Sequence, residues 1–168
     1  MTDNYKIVPK FVFENFEIVR MTFFTSTDDF VFEKPTTELL DRIPNEINKF
    51  VFIFDDEKTT LEVKKILLQK FDTYSFDRSW NTGLEMHAKN SGKGICLKEI
   101  KKKTSAKYVI AAGDYENDET MLKEADISYA PENAIASIKD AADYVTVHCK
   151  EHAIAHIIKE LEEKGAEE

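Results

Sequence analysis

The chain uses different residues on either side of about position 80. All twelve phenylalanines lie in the first 76 residues, whereas every alanine lies at or after Ala88 and every glycine at or after Gly83. Large aromatic side chains suit the interface between a sheet and its helices, while small side chains let helices approach a parallel sheet closely. This break predicts two structural units with different packing, over residues 1–86 and 87–168.

The apolar pattern of the first unit alternates between strand and helix periods. The predicted elements are a β-rich stretch over residues 11–24, a helix over 36–48 broken or kinked at Pro44, a buried strand over 50–54, a helix over 58–71, and strands over 73–76 and 84–86. The last two strands can pair in antiparallel fashion. We therefore expect a mixed α/β unit in this half of the chain.

The second unit alternates regularly between strands and helices. The predicted elements are a helix over residues 94–103, a strand over 108–112, a helix with Met121, Leu122 and Ala125 on one face, a strand over 127–130, a helix over 133–142, a strand over 144–147 and a helix from 151. Such alternation is typical of a parallel sheet with crossover helices. In the first of these helices we expect Cys96, Leu97 and Ile100 to face inward.

Charge and cysteine content exclude several classes of function. A net charge of −9 argues against nucleic acid as a partner, because binding to phosphate backbones needs clustered basic surface. The basic run at residues 101–103 is interpreted as a solvated helix end. No apolar stretch reaches membrane-spanning length, and no secretory signal is expected. Cys96 and Cys149 are too few for a disulfide framework, so we expect a reducing, cytoplasmic location.

The string Tyr-Val-Ile-Ala-Ala-Gly-Asp-Tyr-Glu-Asn-Asp over residues 108–118 carries the first candidate site. Asp114 lies at the carboxyl end of a predicted parallel strand, where ligands collect, and Asp118 follows about one helical turn later. Two carboxylates at this spacing can provide half of a Mg²⁺ shell, and Asn117 can orient a carboxylate or a phosphate. Equally, Asp114 can simply cap the helix and Asp118 can lie in its first turn.

Lys93 favours the functional interpretation of these acids. It stands between Gly92 and Gly94, 21 residues before Asp114, and a helix follows it. Flanking glycines allow a tight backbone turn that places an ammonium group beside a phosphate or an acidic side chain. A lysine, a helix, a strand and two acids in this order seldom occur together by chance.

These pieces resemble the Cof-type branch of the haloacid-dehalogenase superfamily over residues 48–161. The matching segments are Lys-Phe-Val-Phe-Ile-Phe-Asp at 49–55, Leu-Glu-Met at 84–86, Gly-Lys-Gly at 92–94, Ala-Gly-Asp-Tyr-Glu-Asn-Asp at 112–118 and Asp-Ala-Ala-Asp-Tyr-Val at 140–145. Asn133 and Ala134 also match a loop that approaches the active site in that family. The lysine–glycine and Gly-Asp-x-x-Asn-Asp segments are specific when they are found together.

The resemblance implies a partial Rossmann-like core and an α/β cap domain with an antiparallel sheet, formed by the Phe-rich segment. It implies a magnesium-dependent phosphohydrolase that acts on small phosphorylated metabolites. By the same resemblance, Lys93 is the phosphate-side lysine, and Asp114 and Asp118 are the distal Mg²⁺ ligands. Asn117 and Asn133 orient a phosphate or a carboxylate.

The sequence departs from the family at its first two motifs. An apolar strand ending in Asp-x-Asp, and a serine or threonine motif for phosphate, should both precede the cap. The segment from Phe52 to Thr59 imitates the first motif around Asp55, but only 33 residues separate Thr59 from Lys93. That is too little sequence for the missing strands, so we reject Asp55 as the nucleophile. We expect a C-terminal fragment or truncated relative that is inactive alone.

Two further expectations follow from the missing strand. In the family that strand lies beside the one over residues 108–112, so an unpaired sheet edge is expected to recruit a second copy or an N-terminal fragment. The alternative function is a non-catalytic binding or assembly module that has kept the scaffold.

A second group of possible metal ligands lies near the C-terminus and consists of His148, Cys149, His152 and His156. The four-residue spacing of the last two histidines on a helix could bind zinc. Histidine pairs on helices are more often ordinary surface residues, and the charged, alanine-rich surroundings offer no closed tetrahedral pocket. We interpret the cluster as incidental.

Overall fold

The structure is a computed structural model that describes residues 5–165. Its contacts divide the chain between Ser91 and Gly92 into two compact units. The first contains a five-stranded antiparallel sheet and the second a three-stranded parallel sheet, which confirms the predicted mixed α/β fold class. Within the described residues, no helix combines the length and the apolar character that crossing a membrane requires.

The first unit is built on a sheet with the strand order β2-β1-β3-β5-β4, in which all neighbours run antiparallel. Its strands are β1 (Arg20–Phe24), β2 (Asp29–Glu33), β3 (Lys49–Ile53), β4 (Tyr74–Trp80) and β5 (Gly83–Ala88). Its helices are α1 (Ile7–Asn15) and α2 (Glu57–Lys70), with a 3-10 turn over Thr37–Arg42. The predicted pairing of the last two strands is confirmed.

One face of this sheet carries the aromatic core. Phe23, Phe50, Phe52 and Phe76 point to that face, and each is at most 1% exposed. Both helices and the 3-10 turn contribute to the same cluster. Aromatic rings in mutual contact, such as those of Phe50 and Phe52 at 6.0 Å between centroids, bury large apolar areas. This packing explains why the phenylalanines are confined to the first unit.

The β-rich stretch predicted over residues 11–24 is wrong in its first part. Residues up to Asn15 form α1, which buries Val8 and Val12, one helical turn apart on the same face. Pro9 lies in the first turn, where its missing N–H has no intrahelical partner to lose. The strand begins only at Arg20.

The helix predicted over residues 36–48 is also shorter than expected. Only the 3-10 turn is helical, and the chain is extended at Ile43. Pro44 follows directly and excludes the preceding residue from the α region. Ile43 and Ile47 are nevertheless buried, so the apolar spacing reflects core contacts made by an irregular segment.

The segment that imitates the family's first motif ends a strand of the antiparallel sheet. Asp56 caps α2, because its carboxylate accepts the Thr59 amide at 2.8 Å and the Thr59 hydroxyl at 2.9 Å. These hydrogen bonds, led by the amide, lower the pKa of Asp56. Asp55 and Asp56 are both exposed, in agreement with an acidic turn after a strand.

The second unit is built on a parallel sheet with the order β6-β7-β8. Its strands are β6 (Ile110–Ala112), β7 (Ile127–Pro131) and β8 (Tyr144–Thr146), and its helices are α3 (Lys93–Thr104), α4 (Glu119–Glu124), α5 (Ala136–Ala141) and α6 (Ala153–Gly165). The helices alternate with the strands along the chain, so the predicted parallel arrangement is confirmed. Its core is formed by small and aliphatic residues such as Leu97, Ala130 and Ile138.

Helix α3 faces the core with fewer residues than expected. Leu97 is buried, but Cys96 is exposed and Ile100 is 59% exposed, so the inward orientation predicted for these two is wrong. The reason is the close approach of α3 to α4 at Gly94, where a Cβ atom would lie 2.6 Å from the Thr120 carbonyl oxygen. That contact fixes the face of α3 that turns inward. Lys101, expected to be solvated, contacts Asp126 at 2.6 Å.

The Asp-Ala-Ala-Asp-Tyr-Val segment has a structural role between β7 and β8. The carboxylate of Asp143 accepts both the amide and the hydroxyl of Ser128 at 2.8 Å, and its own amide donates to that hydroxyl at 3.0 Å. These bonds, led by the hydroxyl, lower the pKa of Asp143. They tie the start of β8 to β7 and hold the parallel sheet in register.

His87 in β5 should make stability depend on pH. Its Nε2 lies 3.1 Å from an Asp77 carboxylate oxygen, and this hydrogen bond raises the pKa of the imidazole. Because the folded-state pKa is raised, the hydrogen bond to Asp77 stabilises the protein fully at pH below the unfolded-state pKa of about 6.5. This stabilisation is lost as pH rises through the folded-state pKa. We expect the unfolding free energy to fall there by about 1.4 kcal/mol for each unit separating the two pKa values.

Denaturant unfolding at several pH values, followed by tryptophan fluorescence, measures this slope. His87→Gln should flatten it, whereas His148→Gln, a matched change in the second unit, should leave it in place. An unchanged slope in His87→Gln would show that another group titrates.

Candidate functional site

The candidate site is organised around Asp118. This residue is 5% exposed, and its Oδ2 accepts the backbone amides of Asp114 at 2.9 Å and of Tyr115 at 3.2 Å. A Cβ atom at Gly113 would lie 2.4 Å from the Cβ of Asp118, so only glycine leaves room for this side chain. Asp118 thus closes the loop that follows β6 and fixes the position of Asp114.

Lys93 is the first residue of α3 and meets the same carboxylate. Its Nζ contacts Oδ1 of Asp118 in an ion pair, while the lysine side chain stays 48% exposed. The preceding residue, Gly92, has a φ of 134°, a conformation that residues with a side chain rarely adopt. The Gly-Lys-Gly pattern therefore has two separate causes, a backbone turn at Gly92 and helix packing at Gly94.

Asp114 lies at the carboxyl end of β6 and is exposed to solvent. Its Oδ2 accepts a hydrogen bond of 3.3 Å from Nδ2 of Asn133. The Oδ1 of Asn133 in turn accepts the amide of Cys149 at 2.9 Å. Asn133 therefore connects Asp114 to the segment after β8, and nothing in the sequence spacing pointed to that second bond.

Asn117 lies in the 3-10 turn over Glu116–Asp118 and is half-buried. It is adjacent in sequence to Asp118 and belongs to the same loop as Asp114. Its role as an orienting residue stays a prediction.

A groove with a volume of about 910 Å³ opens beside these residues. Lys93, Asp114 and Asp118 line its polar part. Most of the remaining lining is apolar and includes Ala112, Met121, Ala153, Ile154, Ile157 and Ile158, while Thr146, Cys149 and His152 add further polar groups. The structure therefore brings the lysine and both acids to one cavity within the second unit. A groove with a charged end and a mostly apolar lining can hold a ligand that has both a charged group and an apolar part.

The histidine cluster does not converge on a single point. Nδ1 of His148 accepts the amide of Lys150 at 3.1 Å, and Nδ1 of His156 lies 3.3 Å from the Thr146 hydroxyl. Across residues 5–165, no group of three or more histidine, cysteine or acidic side chains has the geometry to hold a metal ion.

The donor set at the groove is suited to a hard cation but is incomplete. Asp114 offers an exposed carboxylate, and Mg²⁺ prefers such oxygen ligands with water and phosphate in the other positions. Both oxygens of Asp118 are already engaged, one by Lys93 and the other by two amides. In this arrangement Asp114 is the carboxylate that is open to a metal.

Comparison with known proteins identifies the family. The sequence profile of the haloacid dehalogenase-like hydrolases matches residues 10–158. The phosphatase YwpJ of Bacillus subtilis is 37% identical over 79 residues, which cover 46% of this chain and 28% of YwpJ. The 5-amino-6-(5-phospho-D-ribitylamino)uracil phosphatase YcsE of the same organism is 32% identical over 113 residues, 66% of this chain and 45% of YcsE. The chain spans about half the length of most curated relatives that it matches.

Solved structures show the same fold. The haloacid-dehalogenase subclass IIB sugar phosphatase BT4131 superposes with a TM-score of 0.80 at 20% identity, covering 96% of this chain and 67% of that protein. A haloacid dehalogenase-like hydrolase from B. subtilis superposes with a TM-score of 0.74 at 20% identity, covering 92% and 68%. The resemblance drawn from the sequence is confirmed, and the chain belongs to the haloacid dehalogenase-like hydrolase family.

Proposed function

We propose that this chain contributes to a magnesium-dependent phosphohydrolase that acts on small phosphorylated metabolites in the cytoplasm. The observation that carries the proposal is the convergence of Lys93, Asp114 and Asp118 on one groove at the carboxyl end of β6. Relatives named as phosphatases of a phosphorylated ribityl compound and of sugars support small, hydroxylated substrates.

The side chains have different tasks in this proposal. Asp114 binds Mg²⁺, and the cation offsets negative charge on the phosphate. Lys93 donates N–H groups to a phosphate oxygen or an acidic nucleophile. Asp118 holds Lys93 in place and adds negative charge beside the metal. Of the two acids expected as Mg²⁺ ligands, we therefore propose that only Asp114 binds the cation directly. Asn133 orients the Asp114 carboxylate, and Asn117 orients the phosphate.

The covalent step needs a group that these residues do not supply. An aspartate carboxylate attacks phosphorus, the alcohol leaves, and water then hydrolyses the phospho-aspartate. We propose that residues 1–86 act as the cap that selects the substrate and residues 87–168 as part of the core. A strand beside β6, from an N-terminal fragment or another chain, then carries the nucleophile. A second copy of this chain can pair with the same edge of β6, and such self-association would compete with binding of the strand that carries the nucleophile.

Magnesium titration tests the metal site. We expect amide signals of Gly113, Asp114 and Tyr115 to shift in NMR spectra with an affinity in the millimolar range, because one open carboxylate supplies few of the six ligands that Mg²⁺ needs. Asp114→Asn should abolish the shifts.

Asp140→Asn is the matched control, since Asp140 is an exposed acid on α5 in the same unit. It should leave the titration unchanged. Binding at micromolar concentration or tighter that survives Asp114→Asn would contradict the assignment.

A further inference from the structure

A further cavity lies in the first unit, at the end of the sheet where β1 begins and β3 ends. Three segments form its wall: the end of α1 with the turn into β1, the two residues that follow β2, and the turn after β3. Its volume is about 410 Å³, which lies in the range of pockets that bind small molecules. We call it the Lys34 cavity, after the lysine in its wall.

Backbone hydrogen bonds hold the wall segments of the Lys34 cavity together. The amide of Lys34 donates to the Val19 carbonyl at 2.9 Å, and the amide of Val19 donates to the Ile53 carbonyl at 2.9 Å. The amide of Phe54, just before the turn after β3, donates to the Thr82 carbonyl at 3.0 Å. The cavity is therefore formed before any ligand arrives.

Lys34 has a strained backbone. Its φ is 45°, in the left-handed region where a side chain crowds the following carbonyl oxygen. Glycine or asparagine is the usual residue in this conformation, and Pro35 restricts the preceding residue further. Strained residues of this kind are concentrated at ligand-binding sites, where the side chain has a task that outweighs the cost. The position therefore suggests a function for the Lys34 ammonium group.

Two carboxylates line the same cavity. Glu17 and Asp55 are exposed, as is Lys34. Within residues 5–165, the charged groups of these three side chains form no ion pair, either with one another or with a neighbour, whereas Arg20 and Lys49 on the adjoining strands are both paired with acids. One ammonium and two carboxylates are thus available to a ligand.

The inner part of the cavity is apolar. Phe13 and Phe16 are half-buried, Ile18 is 7% exposed, and all three pack in the aromatic core of the unit. A simple anion would meet Lys34 but also two uncompensated carboxylates, and a simple amine would meet the lysine. A ligand that carries both charges on a small apolar body satisfies every group.

We infer that the Lys34 cavity binds the zwitterion of an α-amino acid with an aliphatic side chain. The ligand carboxylate accepts hydrogen bonds from the Lys34 ammonium, and the ligand ammonium donates to the carboxylates of Asp55 and Glu17. The aliphatic side chain packs against the rings of Phe13 and Phe16. This binding is independent of the proposed phosphatase function, which concerns the second unit.

Titration of the full chain with leucine and two of its analogues tests the inference. Leucine should shift the amide signals of Val19, Lys34 and Asp55 saturably in NMR spectra. The compound 3-methylbutylamine lacks the carboxylate and 4-methylpentanoate lacks the ammonium. Each should bind about tenfold more weakly than leucine or worse, because a charge-assisted contact is missing.

Substitutions identify which charge each group meets. Lys34→Gly removes the ammonium while suiting the left-handed backbone, so the fold is retained. It should weaken binding of leucine by about tenfold or more and leave 3-methylbutylamine no weaker. Asp55→Asn should weaken both leucine and 3-methylbutylamine and leave 4-methylpentanoate no weaker. Lys89→Gln and Asp72→Asn are the matched controls, because both residues are exposed in the same unit outside the cavity wall.

The controls should bind leucine as the unchanged chain does, and circular dichroism verifies the fold of each variant. Absence of a saturable shift with leucine overturns the inference. Equal weakening of leucine and 3-methylbutylamine by Lys34→Gly also overturns it, because the loss would then come from a distorted cavity and not from a missing contact to the carboxylate. Magnesium shifts at Asp114 are read separately, so either assignment can fail without the other.

Discussion

The 168-residue polypeptide should release no phosphate above background from generic esters such as p-nitrophenyl phosphate. Lys93 and Asp118 supply charge, and Asp114 is assigned to Mg²⁺. Both oxygens of Asp118 are engaged, by Lys93 and by two amides, so neither acid is available as the nucleophile. Covalent catalysis divides hydrolysis of the phosphate ester into two easier steps. Without a nucleophile, positioning and electrostatics alone must promote the difficult single step. Release of inorganic phosphate, followed with magnesium present, measures the result.

Adding a polypeptide that carries the family's first two motifs should restore turnover if it completes the sheet. The restored activity should then fall about a hundredfold or more in Lys93→Ala, because the ammonium meets charge that develops in the transition state. Lys102→Ala is the matched control, since Lys102 is an exposed lysine on the same helix. Activity of the chain alone that disappears in Asp55→Asn would reverse the assignment, making the rejected segment the nucleophile strand.

The sequence was most informative where local pattern and tertiary contact agree. Strand β3 contains an unbroken apolar run whose residues are buried on both faces, and α2 has apolar residues at helical spacing together with the Asp56 cap at its start. The prediction failed at α1, where phenylalanines at mixed spacing favoured a strand although Val8 and Val12 follow a helical period. Aromatic residues occur in both kinds of element, so their number alone does not distinguish a strand from a helix.

In the candidate site, the sequence predicted which residues meet but not all of the hydrogen bonds they make. The spacing of Lys93, Asp114 and Asp118 predicted that the three lie together, and they line one groove. It did not predict that Asp118 accepts the two loop amides, because such bonds depend on the path of the backbone. The link from Asn133 to Cys149 joins residues 16 positions apart and depends on how two loops meet. Side-chain partners of this kind follow from the tertiary structure.

The polypeptide should also self-associate through the open edge of β6. Within residues 5–165, β6 pairs with β7 alone, and its Ile110 is 41% exposed. Beside it, the groove is lined by α6, whose Ile154 and Ile158 are 60% and 52% exposed. Unpaired backbone groups next to apolar side chains favour the addition of another strand. A second copy can provide that strand when no N-terminal fragment is present.

Sedimentation velocity at increasing concentration should show this association, and Ile110→Lys should weaken it by about tenfold or more. A lysine on an edge strand opposes pairing, because its charge would lie against the incoming strand. Val145→Lys is the matched control, since β8 forms the other edge of the same sheet and Val145 is 56% exposed. If Val145→Lys abolishes association and Ile110→Lys does not, β8 is the interface. The β6 edge is then not the surface that recruits a partner, and the proposed position of the missing strand loses its support.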